Sequence, residues 1–258
     1  MSVKQLLDLS GRCAIVTGGS RGLGLQMAEA LGEMGAALAL TARKKDELDH
    51  AVGHLAKMGI KAHAWVCDIG KRDSIPAIFD QMLLRLGRVD ILVNNAGAVW
   101  GAPAEDHPLE AWDKLVSLNL IGNFVMAQQS AKKAMIPAKW GRIINVASVA
   151  GLGASDPAVV RTVSYNATKH GVVGMTKQLA AEWGEHGITV NAICPGFFPS
   201  RMTRATLDTT GEMVRKSTPT RRLGGPEDLK GLAVLLASEA SRHITGQAIA
   251  VDGGASAI

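Results

Sequence analysis

Seven short aliphatic runs recur along this chain, separated by stretches long enough for helices, and this alternation restricts its fold more than any other feature. The runs span residues 13–17, 36–41, 62–66, 91–94, 142–146, 189–193 and 248–251. Between them, residues 23–34, 46–58, 74–86 and 110–135 carry apolar residues at helical spacing. Strand and helix in alternation predict an α/β fold: a doubly wound, seven-stranded parallel sheet with helices on both faces, joined by right-handed crossovers. Strands buried on both faces are apolar along their whole length. The composition fits such a core, because 47% of residues are hydrophobic but only 4% are aromatic. No linker, low-complexity segment or repeat divides the 258 residues, which predicts one domain over 1–258.

Two segments break the rhythm. Residues 151–164 form a connection rich in small residues between a strand and a long helix. Residues 197–226 form a longer excursion with three prolines, six basic residues (Arg201, Arg204, Arg215, Lys216, Arg221, Arg222) and two acidic ones (Asp208, Glu212). Long irregular connections in a compact domain are usually functional or mobile. This one follows a strand, so it is expected to overhang the carboxyl edge of the sheet as a flexible substrate lid.

The first strand runs directly into Thr17-Gly18-Gly19-Ser20-Arg21-Gly22-Leu23-Gly24, and a helix follows. Glycines there allow a sharp turn and close approach of the backbone to a pyrophosphate. The helix start adds free N–H groups and a favourable dipole. The second strand ends in Leu40-Thr41-Ala42-Arg43-Lys44, with no acid before Asp46. An acid there would hold the ribose diol of NAD; an arginine suits a 2′-phosphate. Arg43, with Arg21 from the glycine turn, therefore favours NADP(H) over NAD(H).

These residues, followed by Asn94-Asn95-Ala96-Gly97, resemble the short-chain dehydrogenase/reductase family, with a Rossmann-type fold, over essentially the whole chain. The resemblance implies that Gly18, Ser20, Arg21, Gly22, Leu23 and Gly24 cradle the dinucleotide, and that Asp68 and Ile69 meet the adenine. It further implies that Asn95 stabilises the central sheet while Ala96 and Gly97 permit close approach of the cofactor. Pro195 and Gly196 are expected to line the nicotinamide. Ser200-Arg201-Met202 is similar to the family's Thr-x-Met, so Ser200 and Met202 join the cofactor set. Asp252-Gly253-Gly254 matches the family's ending.

Tyr165 is the only tyrosine, and Lys169 follows four residues later, on the same face of a helix. A phenol with a pKa of about 10 is a poor base at neutral pH. A neighbouring ammonium is expected to favour the phenolate, making proton exchange with a substrate oxygen feasible. Ser148 closes the strand 142–146 at the carboxyl edge, where its hydroxyl can bond a developing oxyanion. Asn119 matches the family's helix asparagine, suited to holding a water that relays protons to Lys169. The resemblance gives Asn119, Ser148, Tyr165 and Lys169 the catalytic roles, with Lys169 and Tyr165 also touching the cofactor. The segment between Ser148 and Tyr165 is longer than in most members, the insertion covering about 156–162. Ser155 and Ser164 therefore compete with Ser148, which is preferred for its place directly after the strand.

The net charge of +5 is scattered apart from the lid, unlike the aromatic-flanked basic stripe of a nucleic-acid binder. Cys13, Cys67 and Cys194 lack the spacing of a disulfide framework or zinc site, and His63, His107 and His170 form no ligand-spaced cluster. No metal is expected. Residues 1–12 lack a signal-peptide apolar core and no window approaches a membrane span, so a cytoplasmic chain with no membrane partner is expected. Trp100, after the Asn-Ala-Gly motif, is placed near the substrate.

For the substrate, the region 191–203 resembles gluconate 5-dehydrogenase-like members, with 3-oxoacyl-thioester reductases as the alternative. A non-catalytic dinucleotide-binding scaffold or redox sensor is a third reading, which sits poorly with the retention of Tyr165 and Lys169. The family resemblance also implies a homotetramer or homodimer, packed partly through the helix carrying Ala167, Gly171 and Gly174.

Overall fold

The computed structural model describes all 258 residues. The seven runs are strands: β1 (Cys13–Thr17), β2 (Ala37–Ala42), β3 (Ala62–Val66), β4 (Ile91–Asn94), β5 (Gly141–Val146), β6 (Ile188–Pro195) and β7 (Ala248–Val251). They form one sheet in the order β3-β2-β1-β4-β5-β6-β7, and every pairing is parallel. The interior strands β1, β4, β5 and β6 are buried at every residue, whereas the edge strands β3 and β7 are half-exposed.

Alternate side chains of each strand feed separate cores. Ala14 and Val16 of β1 face one way, with Met27 and Leu31 of α1 (Gly22–Glu33) and Leu48 and Leu55 of α2 (Lys45–Lys57). Ile15 faces the other way, packing with Phe79 and Met82 of α3 (Ile75–Leu86), Met126 and Met135. Covering both faces leaves only the strand ends for chemistry.

The stretch expected as one helix over 110–135 is compound. Alpha-helical turns at Leu109–Leu115 and Asn123–Ser130 alternate with π-helical ones at Val116–Gly122 and Ala131–Met135. Such π-bulges often mark functional positions, and Asn119 lies in the first. A buried amide chain runs from it across the sheet. Asn123 Nδ2 donates to the Asn119 carbonyl (2.7 Å), Asn94 Nδ2 donates to Asn145 Oδ1 (3.0 Å), and Asn145 Nδ2 donates to Thr176 Oγ1 (2.9 Å). Thr176 belongs to α4 (Val163–Trp183), the helix that also carries Tyr165 and Lys169.

The expected irregular excursion over 197–226 is instead half helical, because residues Arg204–Ser217 form α5. Only Val214 of α5 is buried, so the helix lies as a polar layer over the sheet end. The last helix, α6 (Lys230–Ala237), packs against α1. No helix is long and apolar enough to cross a membrane.

Candidate active site

Strand order reverses between β1 and β4, and a groove of about 780 Å³ opens there along the carboxyl edge of the sheet. Thr17 Oγ1 stitches the two strand ends by accepting from the Asn95 and Ala96 N–H groups, each at 3.0 Å. Asn95 Nδ2 returns bonds to the Thr17 and Gly18 carbonyls at 2.9 and 3.1 Å. Gly18 has φ 63°, and a Cβ there would lie 2.9 Å from Asn95 Nδ2, so conformation and contact both require glycine. Gly22 also has positive φ, and its Cβ position meets no atom within 4 Å because it faces the open groove. No side chain caps α1, which leaves its first-turn amides free for an anion. A groove floored by bare backbone and headed by uncapped amides fits a dinucleotide pyrophosphate.

Of the residues expected at the cofactor, Ser20, Arg21, Leu23, Arg43, Asp68, Ile69, Asn95, Ala96, Gly97, Pro195, Gly196, Ser200 and Met202 all line this groove. Gly24 does not. Its added Cβ would lie 2.4 Å from both Asn95 Nδ2 and the Gly18 oxygen, so this glycine seats α1 against the turn rather than meeting a ligand. The Ser200 hydroxyl is shared with Thr203 Oγ1 at 3.0 Å, which ties the start of the lid into a local turn.

Arg21 and Arg43, expected at one phosphate, differ in their surroundings. Arg21 Nη1 is held at 2.5 Å by Glu47, which sits in the first turn of α2 and lines the groove. Lys44 and Arg201 converge on the same carboxylate. Glu47, Lys44 and Arg201 were not anticipated from the sequence. Glu47 is an acid in the first turn of α2, and its basic partners Arg21 and Arg201 come from distant parts of the chain, so local spacing gave no signal of it.

At the other end of the groove stand Ser148, Tyr165 and Lys169. Lys169, only 4% exposed, donates from Nζ to the Val146 carbonyl at 2.7 Å and lies 5.6 Å from the centre of the Tyr165 ring. Burial pulls the Lys169 ammonium down to about 8. Burial pushes the Tyr165 phenol up, and the Ser148 hydroxyl beside it pulls the other way. The Lys169 ammonium is not among the groups that move the phenol, so the expected depression of the Tyr165 pKa by Lys169 is not met. Ser155 is engaged with Asn166 and Ser164 with His107 Nε2 (2.8 Å), which leaves Ser148 as the serine that meets the phenol.

Asn119 is fully buried and its amide is spent on structure. Nδ2 donates to the Ala98 carbonyl (2.9 Å) and to Thr168 Oγ1 (3.1 Å), while Oδ1 accepts from Ala98 N–H (2.9 Å). The amide therefore ties the β4 loop to the catalytic helix. Gly97 lies between the two functional groups, since its added Cβ would be 3.2 Å from Asn119 Oδ1 and 3.7 Å from Lys169 Nζ.

A second cavity, of about 590 Å³, adjoins the groove at Gly196 and Phe198. Asp156, Val159 and Val160 of the inserted segment wall it on one side, and Phe197, Val214 and Thr220 of the lid region on the other. The basic lid residues largely turn away from it. Arg215 and Lys216 pair with Glu212, Arg201 with Glu47, and Arg222, which does reach the cavity, is clamped by Asp228. Trp100 is 46% exposed and lines neither cavity, contrary to its expected place. The three cysteines are buried and free.

Comparison with known proteins agrees with this geometry. The family model described as Enoyl-(Acyl carrier protein) reductase matches residues 18–256. Gluconate 5-dehydrogenase of Gluconobacter oxydans is 38% identical over 98% of each chain. The 3-oxoacyl-(acyl-carrier-protein) reductase of Aquifex aeolicus is 34% identical over 96% of this chain and 98% of its own. The crystal structure of a gluconate 5-dehydrogenase from Burkholderia cenocepacia, in complex with NADP and tartrate, superposes with a TM-score of 0.94 at 35% identity, covering all of both chains. The chain belongs to the short-chain dehydrogenase/reductase family and is an oxidoreductase of that family.

Proposed function

We propose that this enzyme interconverts a secondary alcohol and a ketone with NADP(H), on a polar substrate such as a sugar acid. The observation that carries the reading is the meeting of Ser148, Tyr165 and Lys169 at one end of a groove whose other end holds Arg43. Bound cofactor supplies or accepts the hydride. Tyr165 gives the proton to the carbonyl oxygen in reduction and removes it in oxidation. Ser148 orients that oxygen through its hydroxyl, which stands beside the phenol. Lys169 supplies the positive charge beside the reacting oxygen and holds the nicotinamide ribose. Asn119 serves as a positioning residue that fixes the β4 loop against α4.

The sugar-acid reading is supported by the likeness to gluconate 5-dehydrogenases and by Ser155, Thr220 and Ser256 around the second cavity. The apolar side chains there, Val149, Leu152, Phe197 and Leu223, favour the alternative of a 3-oxoacyl thioester. An oligomer built partly on α4 is supported by Gly174, where an added Cβ meets nothing within 4 Å, and by exposed Leu109 and Phe124 nearby in the fold. Light scattering at the mass of a monomer would remove that part.

Fluorescence titration with NADPH and NADH, on wild type and Arg43→Ala, tests the cofactor assignment. NADPH is expected to bind at least tenfold more tightly, with the preference collapsing in the variant. Equal binding of the two cofactors would overturn it.

A further inference from the structure

Two acids line the groove, Asp68 and Glu47, and Glu47 is the one ion-paired with the groove's basic side chains. Its carboxylate sits where three separate segments meet. Oε1 lies 2.5 Å from Arg21 Nη1 of the glycine turn, 3.5 Å from Lys44 Nζ of the β2–α2 turn, and 3.8 Å from Arg201 Nη1 at the start of the lid. Ser20 Oγ bonds Oε2 at 3.5 Å. Arg43, by contrast, has no acidic partner. A carboxylate gathered by two guanidiniums and an ammonium occupies the kind of place an anionic oxygen of a ligand would take.

We infer that Glu47 is a cofactor-specificity residue that acts as a built-in competitor of the 2′-phosphate. The inference rests on the dinucleotide reading of the groove given above. When the ligand carries a 2′-phosphate, Arg21 and Lys44 must exchange Glu47 for the phosphate, and the displaced carboxylate remains close to a second anion. When the ligand has a free 2′-hydroxyl, Glu47 keeps its cations and its carboxylate accepts from the ribose, the task acids perform at the second strand of NAD-binding sites. The charge pattern thus tempers the preference set by Arg43, making the enzyme able to use both cofactors. Arg201 extends the arrangement into the lid, since the same carboxylate ties the lid start to α2 across the groove mouth.

The competitor role has a sign opposite to that of a residue that merely supports the arginines. Removing the charge in the isosteric Glu47→Gln frees Arg21 for the phosphate. NADPH binding is expected to tighten, NADH binding to weaken or hold, and the NADPH-to-NADH affinity ratio to rise about tenfold, or about 1.4 kcal/mol. The test is fluorescence titration of wild type, Glu47→Gln, Glu47→Ala and Arg43→Ala with both cofactors, alongside titration with adenosine 2′,5′-bisphosphate, which isolates the phosphate subsite from the nicotinamide end. A rise in the ratio in both Glu47 variants, with tighter adenosine 2′,5′-bisphosphate binding, supports the inference. A ratio that stays unchanged or moves toward NADH overturns it, whatever the wild type prefers. Failure of the underlying cofactor assignment reads out separately, as a wild type that binds NADH no less tightly than NADPH and an Arg43→Ala that changes neither.

Discussion

Lys169 is anchored to the end of β5 and not to Tyr165: its Nζ lies 2.7 Å from the Val146 carbonyl oxygen and 5.6 Å from the centre of the Tyr165 ring. The bond to Val146 fixes the ammonium at the groove floor, where a ribose and a substrate oxygen can share it. Charge held in place before the reaction needs no reorganisation during it. The phenol, pushed up by burial, stays protonated and ready to donate.

These directions set a pH profile for ketone reduction. The donor Tyr165 remains protonated through the neutral range, so the first group lost on raising the pH is the Lys169 cation, at about 8. The free enzyme's titration governs kcat/KM. Measured from pH 6 to 10, kcat/KM for reduction is expected to be flat up to about 8 and to fall above it. A profile rising through pH 8 would mean that the neutral amine is the working form.

The same lysine leaves a signature in stability. Its folded pKa, about 8, lies below the ordinary lysine value of 10.5, so between those limits the unfolded chain holds a proton that the folded chain has released. Stability conferred by this site therefore rises with pH in that window and is lowest below about 8. Comparing urea unfolding of wild type and Lys169→Met, the difference is expected to shift toward wild type by about 1.4 kcal/mol per pH unit between 8 and 10. A difference independent of pH would contradict the buried, proton-releasing lysine.

At the opposite edge of the sheet, Asp90 is 2% exposed and serves structure alone. It accepts from Cys13 N–H at 2.9 Å, from Arg88 Nε at 2.7 Å and from Arg12 Nη1 at 3.2 Å. The guanidiniums of Arg88 and Arg12 reach solvent and can hydrate when the charge is lost, so Asp90→Asn is expected to cost about 1 to 2 kcal/mol in denaturant unfolding, mainly through weakened charge-assisted hydrogen bonds. NADPH affinity should be unchanged in the folded variant.

Glycines of different function are expected to respond with opposite signs. Gly24→Ala drives a methyl to 2.4 Å from Asn95 Nδ2 and the Gly18 oxygen, and is expected to cost about 2 kcal/mol while weakening NADPH binding. Gly53 lies inside α2 with nothing within 4 Å of its added Cβ, and Gly53→Ala is expected to stabilise by about 0.5 to 1 kcal/mol. Thermal unfolding of the pair, with NADPH titration, checks both.

What the sequence made legible follows from local chemistry. Strands β1, β4 and β5 are apolar along their length because both faces are covered, and their boundaries could be read almost to the residue. The residues of the glycine turn and the Tyr165–Lys169 spacing were readable for the same reason: each requirement acts within a few residues. Helix α5 was not, because its sequence holds Gly211 and the weak helix formers Thr206, Asp208, Thr209, Thr210 and Ser217, lies between Pro199 and Pro219, and buries only Val214. The π-helical turns around Asn119 leave no distinct apolar period. The convergence of Arg21, Lys44 and Arg201 on Glu47 joins segments far apart in the chain, so no local pattern announces it. The direction of the Tyr165 shift was misjudged because the strength of desolvation is set by tertiary packing, which no local spacing reveals.

The most direct test is turnover of Tyr165→Phe, followed as NADPH absorbance with a panel of polar ketones and 3-oxoacyl thioesters, alongside NADPH titration of the same variant. The expected result is a wild type that oxidises NADPH with at least one ketone, and a variant slowed roughly a hundredfold to ten-thousandfold at unchanged NADPH affinity. A variant that turns over as fast as wild type would contradict Tyr165 as the proton donor and, with it, the assignment of this groove as the reaction site.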